Sequence, residues 1–328
     1  MKKIVILLGV FLLVLTGCGR YSADDITKEI GKKIKDSYRL VGELSINNND
    51  DVYNYNIEVC YKKDKYYKVS LTSVSNDHTQ VILKNDDGVY VLTPSLNKSF
   101  KFQSDWPYDH SQIYLIETLL KDISQDKESK FIENDDTYVF ETSVNYPNNK
   151  LLVKQKITLD NKLNIKNVKI YDENDTIKME LNVKSIDYSP TFKDNYFDLD
   201  TVMRAFSDFD AVETSNLDDS IFPLFVPINT KLTNSEKITT DVGERIIMTF
   251  SGEKPFLLVE ETTNVMDEFT VIPTYGEPYM FMDTLGVMTD NSLSWTSGGI
   301  DYYLVSDVMG KDELIEIAQS ISAIPTMK

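Results

Sequence analysis

The sequence predicts an α+β fold: a long antiparallel meander with helices laid on one face, then a smaller α+β unit. Three observations carry this. Apolar residues recur with period two in run after run, as in half-buried strands. Clusters of Asn, Asp and Gly separate the runs at hairpin spacing. Stripes with helical spacing interrupt the pattern at a few places only.

Taken in order, Asp24–Tyr38 has Ile26, Ile30 and Ile34 four apart on one helical face, with Asp24 or Asp25 placed to cap it. The first clear strand alternates Tyr53, Tyr55, Ile57, Val59 and Tyr61 with polar Asn54, Asn56 and Glu58. Tyr67, Val69 and Leu71 repeat the pattern, as do Val81 with Leu83, Phe100 with Phe102, and Tyr138, Phe140 and Val144. Leu151, Val153, Ile157 and Leu159 continue it, followed by Ile177, Met179, Leu181 and Val183. Turns fall at Asn47–Asp51, Asn85–Gly88, Asn134–Asp136, Asn148–Asn149, Asp160–Asn161 and Asp172–Asp175. Consecutive hairpins therefore read as a meander. From Pro107 to Ile123, the residues Ile113, Ile116, Leu120 and Ile123 predict a helix, with Pro107 in its first turn and Leu115 and Leu119 widening the apolar side. A helix this apolar needs the sheet's concave face to lie on.

The meander ends near Tyr188–Pro190, and 191–230 reads as a connector that packs partly on the preceding sheet. In the C-terminal unit, 231–328, Ile246–Phe250 and Phe256–Glu260 read as strands. Leu293–Trp295 and Tyr302–Val305 form a hairpin about Ser297-Gly298-Gly299, and Lys311–Ile321 is an amphipathic helix with Leu314, Ile317, Ala318 and Ile321 on one side.

The N-terminus carries a separate message. Lys2 and Lys3 precede an apolar run from Ile4 to Leu15, which is shorter than the roughly 20 residues of a spanning helix. Its length and flanks are those of a secretion leader. Leu15-Thr16-Gly17-Cys18 then resembles the lipobox of bacterial lipoproteins. That resemblance implies diacylglycerol on the Cys18 thiol, removal of residues 1–17, and a lipidated tether over 18–23. Two acyl chains, at about 0.8 kcal/mol per buried CH2, hold a protein at a bilayer far more firmly than one. The remaining 24–190 would form the main domain on the outer face of the membrane.

Charge and cysteine content narrow the function. The 328 residues carry a formal net charge of −18, and loss of Lys2 and Lys3 leaves 32 basic against 52 acidic residues. Such a surface repels nucleic-acid phosphate and anionic lipid headgroups, so no nucleic-acid partner is expected. With Cys18 lipidated, Cys60 is left alone and no internal disulfide forms. His78 and His110 are the only histidines, and neither has metal-ligand spacing to a Cys or another His. No Gly-x-Ser-x-Gly elbow, Ser-x-x-Lys pair or phosphate-cradling Gly loop is present. Asp172–Ile177 has Ile where a calcium loop needs Gly, and no carboxylate pair stands out for glycoside hydrolysis. The reading is a protein without catalytic residues, metal or cofactor.

Aromatic residues offer the remaining candidate site. Tyr55, Tyr67, Phe100, Phe102 and Phe140 share one alternation phase of their strands, together with Ile57, Val59 and Val69. With Ile116 and Leu120 of the expected helix, they form either an ordinary core or an apolar cavity for an acyl chain or apolar peptide. Trp106 and Tyr108 are candidates for a partner-binding rim, with packing at the helix entry as the alternative for Trp106.

The run Gly88-Val89-Tyr90-Val91-Leu92-Thr93-Pro94-Ser95-Leu96-Asn97-Lys98-Ser99-Phe100-Lys101-Phe102-Gln103-Ser104-Asp105-Trp106-Pro107-Tyr108, with Ser111–Leu115, resembles LolA-like lipoproteins of spore-forming Firmicutes, the sporulation and germination group. The similarity covers roughly Asp24–Tyr188, and Leu293–Ile321 looks like a small C-terminal domain that recurs in such lipoproteins. The resemblance implies a curved, unclosed half-barrel with helices over its concave side. It also implies a non-enzymatic, membrane-anchored binder of an apolar ligand or protein, with a cell-wall hydrolase as a possible partner and the forespore-associated membrane as a location. A lipid or lipoprotein carrier is the alternative, and a cell-wall-modifying enzyme the remote one. True LolA proteins are soluble carriers, whereas this chain brings its own lipobox.

Overall fold

The structure, a computed structural model, describes residues 21–48, 51–63, 65–107, 110–206, 217, 220–241 and 243–321. The Leu15–Cys18 run, with the expected lipidation site, lies outside them. Helix α1 (Ala23–Lys33) opens on a reciprocal cap: Ser22 Oγ accepts from Asp25 N–H, and the Asp25 carboxylate accepts from Ser22 N–H. Asp24 and Asp25 in its first turn and Lys32 and Lys33 in its last complement the helix dipole. The helix stops short of the expected Tyr38, because Ser37 already begins β1 (Ser37–Asn48). That strand buries Tyr38, Leu40, Leu44 and Ile46.

Hairpins then follow one another through β2 (Asp51–Lys62), β3 (Tyr66–Ser73), β4 (Thr79–Asn85), β5 (Gly88–Thr93) and β6 (Lys98–Phe102). Helix α2 spans Ile116–Gln125, not the expected Pro107–Ile123. The earlier part of the apolar stripe is irregular backbone pinned by Thr118, whose hydroxyl accepts from Gln112 N–H and donates to Gln112 and Leu115 carbonyls. Ile113 and Leu115 are buried all the same, so the periodicity reported packing rather than helix.

A second series of hairpins runs through β7 (Lys130–Glu133), β8 (Thr137–Ser143), β9 (Lys154–Asp160), β10 (Ile165–Tyr171) and β11 (Ile177–Asp187). The sheet is not one simple meander. Strand β11 returns to pair with β1, with Leu44 opposite Leu181. At a bulge in this pairing, between Val41 and Gly42, a Cβ on Gly42 would stand 2.6 Å from Asn182 O. The two series thus join along β1–β11, leaving β7 at one free edge. Curvature is marked. Ile82 of β4 and Met179 of β11 are four strand spacings apart, about 19 Å on a flat sheet, yet both line one void of about 50 Å³. Helices α1 and α2 share a single core with this concave face.

The connector packs on the opposite, convex face. Short helix α3 (Leu199–Arg204), with Phe192, Tyr196 and Phe197, covers Cys60, Val81, Leu83, Tyr90 and Leu92. Beyond it lie β12 (Thr230–Thr240), β13 (Gly243–Gly252), β14 (Phe256–Thr262), β15 (Thr270–Thr274), β16 (Glu277–Phe281), β17 (Thr284–Met288), β18 (Ser292–Ser297) and β19 (Ile300–Val305), then α4 (Lys311–Ile321). Six of these strands follow β12 or flank it in a seven-stranded second sheet, in the order β12-β13-β14-β19-β18-β17-β16. Gly298 and Gly299 take the positive φ that the β18–β19 turn requires. One face of this sheet buries Met248, Leu258, Trp295 and Tyr302 beneath Leu314, Ile317 and Ala318 of α4. The exception is β15, which leaves its neighbours to pair in parallel with β6 as the twelfth strand of the first sheet.

Candidate functional site

The concave face is filled. Tyr55, Ile57, Val59, Tyr67, Val69, Phe102, Phe140 and Ile116 are buried in one cluster, with Phe100 and Leu120 partly buried against it. Beyond α1 and α2, the covering comes from the β16–β17 hairpin, which brings Leu285 into that core and Met280 and Val287 against it. An open acyl-chain hollow formed by these ten residues is therefore not what the structure contains. Exposing so much apolar surface costs about 25 cal/mol per Å², and the chain's own hairpin takes the place of a ligand.

Polar contacts hold the hairpin in place. Gln80 Oε1 accepts from Leu285 N–H at 2.6 Å and from the Thr284 hydroxyl at 3.2 Å. The Tyr55 hydroxyl donates to the Met282 carbonyl, and Asn48 Nδ2 donates to Met282 Sδ at 3.4 Å. Asn148 Nδ2 donates to Glu277 Oε2 at 3.0 Å, and Asn149 Nδ2 to the Tyr279 hydroxyl at 3.2 Å. His110 Nδ1 lies 3.2 Å from Glu277 Oε2. That hydrogen bond, more than any other influence, holds the Glu277 carboxyl below its ordinary range. His110 thus has a partner 167 positions away.

Beside the hairpin lies a cavity of about 340 Å³, between the β4–β5–β6–β15 end of the first sheet and the face of the second sheet turned away from α4. Lys98, Phe100 and Phe102 line it from alternate positions of β6. Of the ten residues expected to form an apolar cavity, only Phe100 and Phe102 border this one. Opposite them stand Val259, Glu261, Val287, Ser294, Thr296 and Asp301. Lys98 Nζ is 3.5 Å from Asp301 Oδ2, with the Lys98 side chain only 8% exposed. Asp301 Oδ1 also accepts from the Thr263 and Thr296 hydroxyls. Arg245 Nη2 donates to both Glu261 oxygens, at 2.8 and 2.9 Å. Charge in the seam is thereby balanced, amid mainly apolar walls.

The remaining sequence candidates fall elsewhere. Trp106 is 6% exposed and meets Tyr67 edge-on at 5.8 Å, so its ring belongs to the interior; Tyr108 lies outside the described residues. Cys60 is a buried free thiol 3.3 Å from the Tyr196 hydroxyl, pushed up to about 11 by burial. Among the described residues, no group of three or more His, Cys, Asp or Glu side chains is arranged to hold a metal ion. No helix among them is long and apolar enough to cross a membrane. Glu117 and Glu260 are buried acids, each pushed up to about 7 by desolvation. Glu117 accepts from the Tyr38 hydroxyl at 2.9 Å and Glu260 from Ile221 N–H at 3.1 Å, contacts that tie together packed elements.

An open, curved antiparallel sheet with helices in its hollow is the architecture that the resemblance of the Gly88–Leu115 run implied. No family model matches the chain. It is 37% identical over 328 residues to the sporulation protein YdcC of Bacillus subtilis (strain 168), covering 98% of this chain and 97% of that protein. The chain belongs to the family of that sporulation protein. Among solved structures, similarity extends to a chain of the MucA/MucB complex of Pseudomonas aeruginosa, at 11% identity over 90% of this chain and 97% of that one, TM-score 0.34. It extends also to a chain of the Clostridioides difficile CwlD amidase complex with the GerS lipoprotein, at 20% identity over 52% and 98%, TM-score 0.32. A lipoprotein-sorting protein domain from Vibrio parahaemolyticus matches at 12% identity over 55% and 97%, TM-score 0.29.

Proposed function

We propose that the mature protein is held on the outer face of the cell membrane by lipidated Cys18 and acts in sporulation or spore germination as a binding protein rather than an enzyme. The observation that carries this is the full-length 37% identity to a sporulation protein. The lipobox at Leu15–Cys18 supports the anchor. Support for binding comes from the seam, where a charge-balanced cavity of about 340 Å³ lies between two sheets that one chain segment fastens together. The seam, not the filled hollow, is the proposed contact site for a ligand, and a cell-wall hydrolase is the proposed protein partner.

The test is genetic and chemical. Deletion of the gene in the native host is expected to impair spore formation or germination, with rescue by wild type but not by Cys18→Ala. Mass spectrometry is expected to find diacylglycerol on Cys18 and no residues 1–17. Normal spores from the deletion strain, or an unmodified Cys18 still joined to Gly17, would refute the reading. Crosslinking in sporulating cells is expected to recover a hydrolase.

A further inference from the structure

We propose that the seam cavity takes a compact apolar monocarboxylate, bound through the Lys98 ammonium at one end and through the apolar walls along its body. This inference rests on the reading of the seam as a binding site and adds the chemical class of the ligand.

Hydrogen-bond accounting around the cavity carries the argument. The acceptors of Gln80, Thr93 and Glu261 and one oxygen of Asp301 are already engaged. Gln80 Oε1 is taken by Leu285 and Thr284, and Thr93 Oγ1 by Gln80 Nε2 at 3.3 Å. Both Glu261 oxygens are taken by Arg245, and Asp301 Oδ1 by two threonines. The donor side is not engaged to the same extent. An ammonium carries three N–H groups, and among the described residues that of Lys98 has one partner, Asp301 Oδ2 at 3.5 Å. A charge-assisted N–H···O⁻ bond of full strength measures about 2.7–2.9 Å. Lys98 is thus a nearly buried cation with a single stretched ion pair, and a buried charge is costly unless its hydrogen-bonding capacity is met. A ligand carboxylate supplies the missing acceptors at charge-assisted strength.

Shape decides the rest. Phe100 and Phe102 continue the strand phase of Lys98, and Val259 and Val287 face them. A ligand whose charged end meets Lys98 therefore has its body against carbon. At about 340 Å³ the cavity sits at the small end of ligand pockets, which span about 300–1,000 Å³. One chain or one ring system fits that scale; a diacyl lipid does not.

The experiment is isothermal titration calorimetry on the mature chain at pH 7.5, with decanoate and 4-phenylbutyrate each paired with its own amide. At least one acid is expected to bind tenfold or more tightly than its amide, and the better body distinguishes a chain from a ring. Lys98→Met is expected to abolish the preference for acid over amide. Ser294→Trp, which fills the cavity from β18, is expected to remove binding of both, with far-UV circular dichroism confirming the fold; Val287→Phe serves if it does not fold. Failure of both acids to bind, equal binding of acid and amide, or an acid preference that survives Lys98→Met would overturn the proposal. Complementation keeps the two readings apart. If neither acid binds but the folded cavity-filling variant fails to restore spores, the ligand class is wrong and the seam stands. If an acid binds through Lys98 but the filled variant restores spores fully, the ligand class stands and the seam's role in sporulation falls.

Discussion

Replacing Glu260 with Gln should flatten the pH dependence of stability. Glu260 projects from β14, is 0% exposed, and receives one hydrogen bond, from Ile221 N–H to Oε2 at 3.1 Å. Its Oε1 has no partner among the described residues. Burial outweighs that single hydrogen bond and raises the carboxyl from an ordinary 4.5 to about 7. The folded state therefore holds this proton to higher pH than the unfolded state does. The group's contribution is fully present below pH 4.5, declines as pH rises from there, and is lost once pH passes about 7. A gap of about 2.5 pH units at about 1.4 kcal/mol each gives a loss on the order of 3 kcal/mol. Glu260→Gln retains an oxygen to accept from Ile221 and has no proton to lose. Urea unfolding of both proteins at pH 5, 6, 7 and 8 is the assay. The stability difference between variant and wild type should move in the variant's favour by up to about 3 kcal/mol between pH 5 and 8. Parallel pH profiles would refute the reasoning, since they would mean that Glu260 ionises in the folded state as it does in the unfolded chain.

Glu117→Gln should act in the same direction over the same window, because burial raises its carboxyl to about 7 as well; the same urea series checks it. Gly42→Ala places a Cβ 2.6 Å from Asn182 O at the β1–β11 bulge and should cost about 1–3 kcal/mol, read by denaturant melts. Gln80→Leu removes the acceptor for Leu285 N–H and should destabilise by about 1–3 kcal/mol, with faster hydrogen exchange at the Leu285 amide. Cys60, with its thiol raised to about 11, should resist a thiol reagent at pH 8 in the native protein and react promptly in urea.

Strands with one buried face were legible, because burial on alternate positions writes itself into the sequence as alternation. Tyr53–Tyr61 and Ile177–Val183 fall within β2 and β11 for that reason. Strand β1 was missed because Gly42 replaces an apolar residue in the phase Tyr38, Leu40, Leu44, Ile46. Strand β12 was missed because nearly all of it is exposed, leaving no buried face to set a period. Strands β15, β16 and β17 mediate between two sheets, and a segment touched from both sides shows no clean alternation. The parallel pairing of Lys98 with Thr270 joins positions 172 apart, a contact that local pattern does not encode. Half of the seam was within reach all the same. Phe100 and Phe102 were singled out, and Lys98 shares their phase. A lysine on the inward phase of an otherwise apolar strand was the signal available for the charged end of the cavity.

One short segment shapes the whole candidate site. Residues 270–288 give β15 to the first sheet and β16–β17 to the second, so neither sheet is complete without them. The hairpin that fills the hollow also carries Leu285 and Val287 into the wall of the seam cavity. Closing the hollow and creating the cavity are therefore a single structural act. Lys98 stands on the strand that β15 extends, and Asp301 on the second sheet, so the ion pair at the cavity spans both sheets. A carboxylate held by Lys98 would add to the same junction that Gln80 and Tyr55 already fasten. Binding there would act on the attachment between the sheets, the route by which occupancy of the cavity would be felt by a partner.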